Sequence, residues 1–341
     1  MARYFVTGAT GFLGGHLTEE LLRGGHKVVA LCRDDEPELE DRGVEVARGD
    51  VLDEASIARA SRGSDGTFHC AGKVSRRLED SEELYRLHVE GTRKVAAACK
   101  AAGVPRLVLA STSGTVAVSA DPSFVANEDS PAPVALLSRW PYYRSKLYAE
   151  ELALAANDAA LEVVVVNPTL LLGPGDLRRS STEDVRLFLD RRIPATPSGG
   201  ISFVDVRDAA AGLLLAMEAG AAGRRYLLGA RNLTLRELFA KLERVSGVRA
   251  PLMLLPRIPA LLRSAAFAMT DMASAKRHAW LQPAVDAVSL EMAQFFWYLD
   301  ASRAERELGW RPRDPMTTLR ETVDDILGQS ARSSLAPSSP Q

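Results

Sequence analysis

Tyr142 and Lys146 stand four residues apart in the run Trp140 to Asn157, whose pattern predicts a helix, so the two side chains share one face. A phenol and an ammonium at that spacing can move a proton. A free tyrosine titrates near pH 10, too high for a relay at neutral pH, and a nearby ammonium lowers that value by favouring the phenolate. A hydroxyl from another element would complete a site for a substrate oxygen. Ser111, Thr112 and Ser113 offer three, at the end of the apolar run Leu107 to Ala110. Taken alone, Tyr-x-x-x-Lys also describes an ordinary surface pair.

A second constellation is Thr7-Gly8-Ala9-Thr10-Gly11-Phe12-Leu13-Gly14. It follows the apolar run Tyr4-Phe5-Val6 and opens an amphipathic segment, His16 to Arg23, so it reads as strand, glycine turn and helix. Gly8 and Gly11 would let the backbone turn sharply and approach a pyrophosphate, and Gly14 would let the helix sit close to the sheet. The helix N-terminus would offer free N–H groups and a positive dipole end. Gly8, Thr10, Gly11, Phe12, Leu13 and Gly14 are therefore expected to bind a dinucleotide. The G-x-x-G-x-x-G spacing is one residue longer than the usual fingerprint, and a βα turn that binds nothing would look similar.

The elements that must position these groups follow from the hydrophobic pattern. Strands are expected at Lys27 to Cys32, Val44 to Arg48, Thr67 to His69, Leu107 to Ala110, Glu162 to Val166 and Arg225 to Leu228. Helices are expected at Glu54 to Arg62, Ser81 to Ala102, Trp140 to Asn157, Thr182 to Arg191, Asp208 to Ala219, Thr234 to Ser246 and Asp300 to Gly309. Residues 33–43 and 119–139 read as loops. Strands alternating with helices predict an α/β fold: a Rossmann-type, doubly wound parallel sheet of about seven strands. The expected division is a dinucleotide-binding domain over 1–167, with 203–230 returning to the sheet. A smaller, mostly helical substrate-binding domain would take 168–202 and 231–328, and 329–341 would be a disordered tail, rich in Ser and Pro. In such sheets ligands sit at the carboxyl ends of the strands. Gly8 to Gly14, Arg33, Asp50-Val51, Ala71-Gly72, Ser111 to Ser113 and Asn167-Pro168 all fall there.

Composition narrows the function. Of 341 residues, 42 are Lys or Arg and 44 Asp or Glu, a balance that gives no electrostatic case for nucleic acid. The three cysteines, Cys32, Cys70 and Cys99, have no metal-ligand spacing, and the histidines form no cluster, so no metal is expected. No apolar run is long enough for a transmembrane helix. The first strand begins within three residues of Met1, leaving no room for a signal peptide, so a cytoplasmic setting is expected. The apolar segment Pro251 to Met272 reads as a pocket wall in preference to a membrane-surface helix.

Taken together, Thr7 to Gly14, Asp50-Val51, Ser111 to Ser113 and Tyr142-Tyr143-Arg144-Ser145-Lys146 resemble the extended short-chain dehydrogenase/reductase family. Asn167-Pro168 with Gly173-Pro174, Phe203 to Ala210 and Asp300 to Trp310 add to the likeness, which spans about residues 3 to 328. Within the family the chain looks most like the dihydroflavonol-4-reductase-like branch and its epimerase/dehydratase relatives. The resemblance implies that Tyr142 is the acid/base, and that Lys146 holds the nicotinamide ribose and depresses the phenol. Counting along the strand puts the hydroxyl partner at Thr112; counting back from Gly114-Thr115-Val116 puts it at Ser113. The strand is the more rigid ruler, which favours Thr112. Asp50 and Val51 would hold adenine, Ala71 and Gly72 would line the cofactor, and Ser111, Asn167 and Pro168 would lie near it. A helix residue often Asn in the family is His88 here, which puts any Asn-held relay in doubt.

The second strand ends in Cys32-Arg33, with no acidic residue to accept from a ribose 2′-hydroxyl and an arginine able to bind a 2′-phosphate. NADP (NADPH) is therefore expected over NAD, although Arg33 could instead pair with Asp34 or Asp35. The expected function is reduction of a ketone or aldehyde to an alcohol. The alternatives are an NAD-dependent sugar-nucleotide epimerase or dehydratase, and a catalytically silent NADP-sensing regulator. Apolar residues in the expected substrate region (Leu252, Met253, Leu254, Leu255, Phe267, Met269, Phe295 and Phe296) lean toward an apolar or aromatic substrate. The helices Ser81 to Ala102 and Trp140 to Asn157 would pair two subunits if the chain forms a homodimer.

Overall fold

A computed structural model describes residues 1–255 and 286–335. Strand and helix alternate from the start: β1 (Arg3–Thr7), α1 (Phe12–Arg23), β2 (Lys27–Cys32), α2 (Pro37–Glu40), β3 (Glu45–Arg48), α3 (Glu54–Ser61) and β4 (Gly66–His69). Next come α4 (Ser81–Tyr85), α5 (Gly91–Ala102), β5 (Arg106–Ala110), α6 (Val134–Leu137), α7 (Pro141–Ala155) and β6 (Glu162–Pro168). The remainder comprises β7 (Leu170–Leu172), α8 (Glu183–Leu189), β8 (Gly200–Asp205), α9 (Val206–Ala219), β9 (Arg225–Leu228), β10 (Arg231–Thr234) and α10 (Leu235–Ser246), then α11 (Ala287–Met292), β11 (Phe296–Trp297), α12 (Ser302–Glu307) and α13 (Pro315–Leu335).

Seven strands form one parallel sheet in the order β3-β2-β1-β4-β5-β6-β9. The chain reverses its direction of travel between β1 and β4, which opens a crevice at their carboxyl ends. Helices cover both faces, so each strand is buried twice and alternates between two cores. Val164 and Val166 pack on the side of α1 and α9, with Leu17 and Leu213. Val163 and Val165 pack on the other side, with Ile57 of α3 and Val95 of α5. Each buried valine contributes on the order of 1.5–3 kcal/mol, which outweighs a backbone-ordering cost of about 1–2 kcal/mol per residue.

A second, smaller sheet joins β10, β8 and β11, with β7 parallel to β8. Its core mixes chain from distant places: Leu172, Phe188, Phe203, Phe239 and Leu319 meet there. This sheet, with β7, β10, β11 and α11, is absent from the sequence reading. Its strands are only two to six residues long and take their partners from other segments, so they carry little local signal.

Two expected loops hold single-turn helices, α2 and α6. The expected helix from Ser81 to Ala102 is interrupted by a π-turn at Arg86–Glu90. The disordered tail expected from residue 329 is instead helical as far as Leu335. Leu319, Val323 and Ile326 anchor that helix in the second core, and the first proline beyond it is Pro337, outside the described residues. Among the described residues no helix is long and apolar enough to cross a membrane.

Candidate active site

The glycine turn closes on the crevice. Gly8 has φ +77, and a Cβ there would lie 2.6 Å from Ala71 N, so only glycine fits where the turn meets the end of β4. A Cβ on Gly14 would lie 2.1 Å from Gly8 O. Gly14 is thus required by the turn's own backbone, whereas the sequence suggested close helix–sheet packing. Gly11 caps α1 and has no side chain to bond its first-turn N–H groups. Gly11, Phe12, Leu13 and Gly14 open onto a cavity of about 1250 Å³. Across it, a Cβ on Gly72 would lie 3.2 Å from His88 Nε2 and 3.5 Å from Lys146 Nζ, so that glycine keeps the floor beside Lys146 clear. These residues fit a dinucleotide: an uncapped helix end for its phosphates and a glycine-floored cleft leading to an ammonium.

The same cavity is lined by Thr112, Ser113, Tyr142, Lys146 and Pro168. Helix α7 begins at Pro141, whose fixed φ suits a first helical position, and it places Tyr142 and Lys146 on one side. Lys146 Nζ donates to Ala110 O at 2.9 Å. Burial lowers the Lys146 ammonium to about 8, against the opposing pull of Cys70 and Glu150. The Tyr142 phenol and the Thr112 hydroxyl line the same cavity, and the Tyr142 ring packs edge-on against His88 and Tyr143. Burial raises the phenol well above its ordinary value; Tyr143 adds to the rise and the Thr112 hydroxyl opposes it. The expected depression by Lys146 is therefore not found. The ammonium is turned to the Ala110 carbonyl, and desolvation of the phenolate dominates.

Thr112 Oγ1 also accepts from Gly114 N at 3.3 Å, in the short turn Ser113–Thr115. Ser111 Oγ donates to Glu150 at 2.6 Å, so its hydroxyl proton is committed away from the cavity. Asn167 is fully buried, and its Nδ2 donates to Glu150 at 2.7 Å and to Thr112 O at 3.1 Å. Ala71 N donates to Thr7 Oγ1 at 3.3 Å.

His88 lies in the π-turn, whose wider winding buries both His88 and Val89. Lys73 N donates to His88 Nε2 at 3.1 Å, which places the ring proton on Nδ1, 2.8 Å from Ser145 Oγ. Ser145 in turn donates to Tyr142 O at 2.8 Å. Burial, with Lys146 and His69 nearby, holds His88 neutral well below its usual range. Both ring nitrogens are thus engaged in structure. His69 bridges Thr7 Oγ1 (2.7 Å) and Thr92 Oγ1 (3.1 Å), and burial lowers it to about 3. Among the described residues no group of three or more metal-binding side chains is placed to hold a metal ion.

Arg33, Asp50 and Val51 stand outside the cavity, at the ends of β2 and β3. Asp50 Oδ1 accepts from Leu52 N at 2.8 Å, a turn-forming bond. Arg33 is exposed, and Asp35, one of its two candidate partners, pairs with Arg48 at 3.1 Å instead.

The expected apolar pocket residues are mostly elsewhere. Leu252, Met253 and Leu254 are exposed, Phe295 and Phe296 are buried, and Phe267 and Met269 lie outside the described residues. Met253 and Leu255 do reach the cavity, but Leu170, Val185, Leu235 and Phe239 form much of its apolar wall. Leu170, Asp184 and Val185 fall within 168–202, the region expected to bind substrate, whereas Leu235, Phe239, Tyr143 and Arg76 were not singled out as pocket residues. Arg76 pairs with Asp184 of α8 at 2.7 Å and donates to Ser289 of α11 at 2.9 Å, joining the loop after β4 to the second unit.

Residues 4–229 match the model of the NAD dependent epimerase/dehydratase family. Sterol demethylase protein B of Methylococcus capsulatus is 33% identical over 93% of this chain and 96% of its own length. The 2-alkyl-3-oxoalkanoate reductase of Stenotrophomonas maltophilia is 34% identical over 73% of this chain and 76% of its own. The dihydroflavonol 4-reductase of Zea mays is 31% identical over 70% and 72%.

Proposed function

The chain belongs to the NAD dependent epimerase/dehydratase family, as an NAD(P)-dependent oxidoreductase of the extended short-chain dehydrogenase/reductase type in the dihydroflavonol-4-reductase-like branch, and within it we propose that it reduces an apolar ketone or aldehyde with NADPH. The observation that carries this reading is that Tyr142, Thr112 and Lys146 line one cavity whose lining is largely apolar.

A nicotinamide dinucleotide, when bound, supplies the hydride. Gly11 to Gly14 would receive its phosphates at the N-terminus of α1, and Lys146 would hold its ribose. Tyr142, kept protonated by burial, donates its proton to the carbonyl oxygen as negative charge develops there. The Thr112 hydroxyl donates to the same oxygen and fixes its position. The apolar side chains of Leu170, Val185 and Phe239 suit a substrate with an alkyl or aryl body. A cofactor sensor without turnover would have no use for the Tyr142–Thr112 pair. The Stenotrophomonas relative, named for a 3-oxo acid substrate with alkyl substitution, agrees with the same substrate class.

Tyr142→Phe tests the assignment. Turnover should fall by about a hundredfold or more while cofactor affinity stays near that of the wild type, whereas Lys146→Ala should damage both. A Tyr142→Phe enzyme that keeps more than about a tenth of its activity would contradict it.

A further inference from the structure

Glu150 lies four residues beyond Lys146 and eight beyond Tyr142, on the same side of α7. It is fully buried, and the chemistry above makes no use of it. Every group that reaches its carboxylate is a donor. Oε2 accepts from Ser111 Oγ at 2.6 Å and Asn167 Nδ2 at 2.7 Å, with Thr115 Oγ1 at 3.2 Å. Oε1 faces Arg225 Nε at 3.1 Å, an ion pair without hydrogen-bond alignment. The donors come from four places: the end of β5, the turn after it, the end of β6 and the start of β9.

Two of these donors also converge on one further atom. Asn167 Nδ2 reaches Thr112 O at 3.1 Å, and Thr115 Oγ1 lies 3.0 Å from the same oxygen. Asn167, held by the carboxylate, is thus one of the groups that fix the Thr112 carbonyl, and the Thr112 hydroxyl is the one that acts on the Tyr142 phenol. A buried carboxylate is costly unless it is paired, and here the strand ends that frame the site supply the donors to Oε2 and an ion pair to Oε1.

We infer that Glu150 is a positioning residue: its carboxylate holds the Thr112 segment and Asn167 against the helix that carries Tyr142 and Lys146, so that the phenol and the hydroxyl keep one mutual geometry. The kinetic part of this inference rests on the proposed reductase reading; the structural part does not.

Glu150→Gln in the full-length protein is the test. The amide has nearly the same shape but presents an NH2 group to a donor whichever way it turns. The variant should fold, lose about tenfold or more in kcat, and keep the substrate KM and cofactor Kd within about threefold, as expected of a misplaced hydroxyl. Arg225→Gln removes only the ion pair and should leave kcat within about twofold. If Glu150→Gln does not fold, Thr115→Val removes one donor to the carboxylate and should lower kcat in the same way, to a smaller extent. A second readout needs no substrate. In methyl-labelled protein the Thr112 resonance, identified by its loss in Thr112→Ser, should shift on Tyr142→Phe, and that response should vanish in the Glu150→Gln background.

A folded Glu150→Gln enzyme with kcat within twofold of wild type, or with the methyl response intact, overturns the inference. So does an Arg225→Gln loss as large as that of Glu150→Gln. If no carbonyl is turned over by the wild type yet the methyl response vanishes in Glu150→Gln, the reductase reading fails and the positioning role stands.

Discussion

The Tyr142 phenol, raised by burial, stands on the wall of the same cavity as the Thr112 hydroxyl, as the proposed proton donor requires. Thr112 and Ser113 both line the cavity, so proximity alone does not separate them. The influences on the Tyr142 phenol favour Thr112, whose hydroxyl acts on it while Ser113 does not. Thr112→Ala should therefore cost more in kcat/KM than Ser113→Ala, on the order of 3 kcal/mol for loss of a donor to the developing oxyanion. Steady-state kinetics of the two variants decide it, and the reverse ranking would move the role to Ser113. At this scale Tyr142 and Lys146 were legible in the sequence because a four-residue helical spacing fixes a shared face whatever the tertiary surroundings. Glu150, one further turn along, was equally visible as a letter but not as a participant. Its meaning comes from Ser111, Asn167 and Arg225, which reach it from elements distant in sequence. The direction of the Tyr142 shift was misread for a related reason, since desolvation by the surrounding fold outweighs a charge that the sequence places one turn away.

At the scale of elements, the strands of the large sheet were readable because both faces are covered and each strand is a short continuous apolar run. The π-turn at Arg86–Glu90 was not readable, since its residues suit an α-helix equally well, and the wider winding belongs to a segment that inserts His88 beneath the loop after β4. The carboxyl end of β2 carries the cofactor prediction. Arg33 is exposed there, and in the sheet register Cys32 lies beside Arg48, which engages Asp35. With that carboxylate paired to a different arginine, a 2′-phosphate near Arg33 would meet less repulsion. Arg33→Ala should weaken NADPH binding by about tenfold while changing NADH affinity little, as expected for a charge-assisted contact to phosphate. Titration of the two cofactors against the variant checks this, and an equal effect on both would remove Arg33 from the 2′-phosphate site.

On the scale of the molecule, the parallel sheet and the smaller second sheet make one cavity, with a glycine turn, Tyr142 and Thr112 on one side and apolar walls from β7, α8 and α10 on the other. The first of these was legible because the motifs fall at strand ends whose order the fold dictates. The second was not, because its walls are assembled from short segments between 170 and 293 that have meaning only once packed. The account predicts that the intact enzyme uses its cavity to consume cofactor against an apolar carbonyl. The most direct measurement is the stoichiometry of NADPH oxidation by purified full-length protein across a panel of alkyl and aryl ketones, aldehydes and sugar nucleotides. One NADPH should be oxidised for each alcohol formed, with apolar carbonyls preferred and NADH a poorer donor. Protein that carries a retained NAD, interconverts a sugar nucleotide without net loss of cofactor, and oxidises no NADPH with any carbonyl would contradict the account.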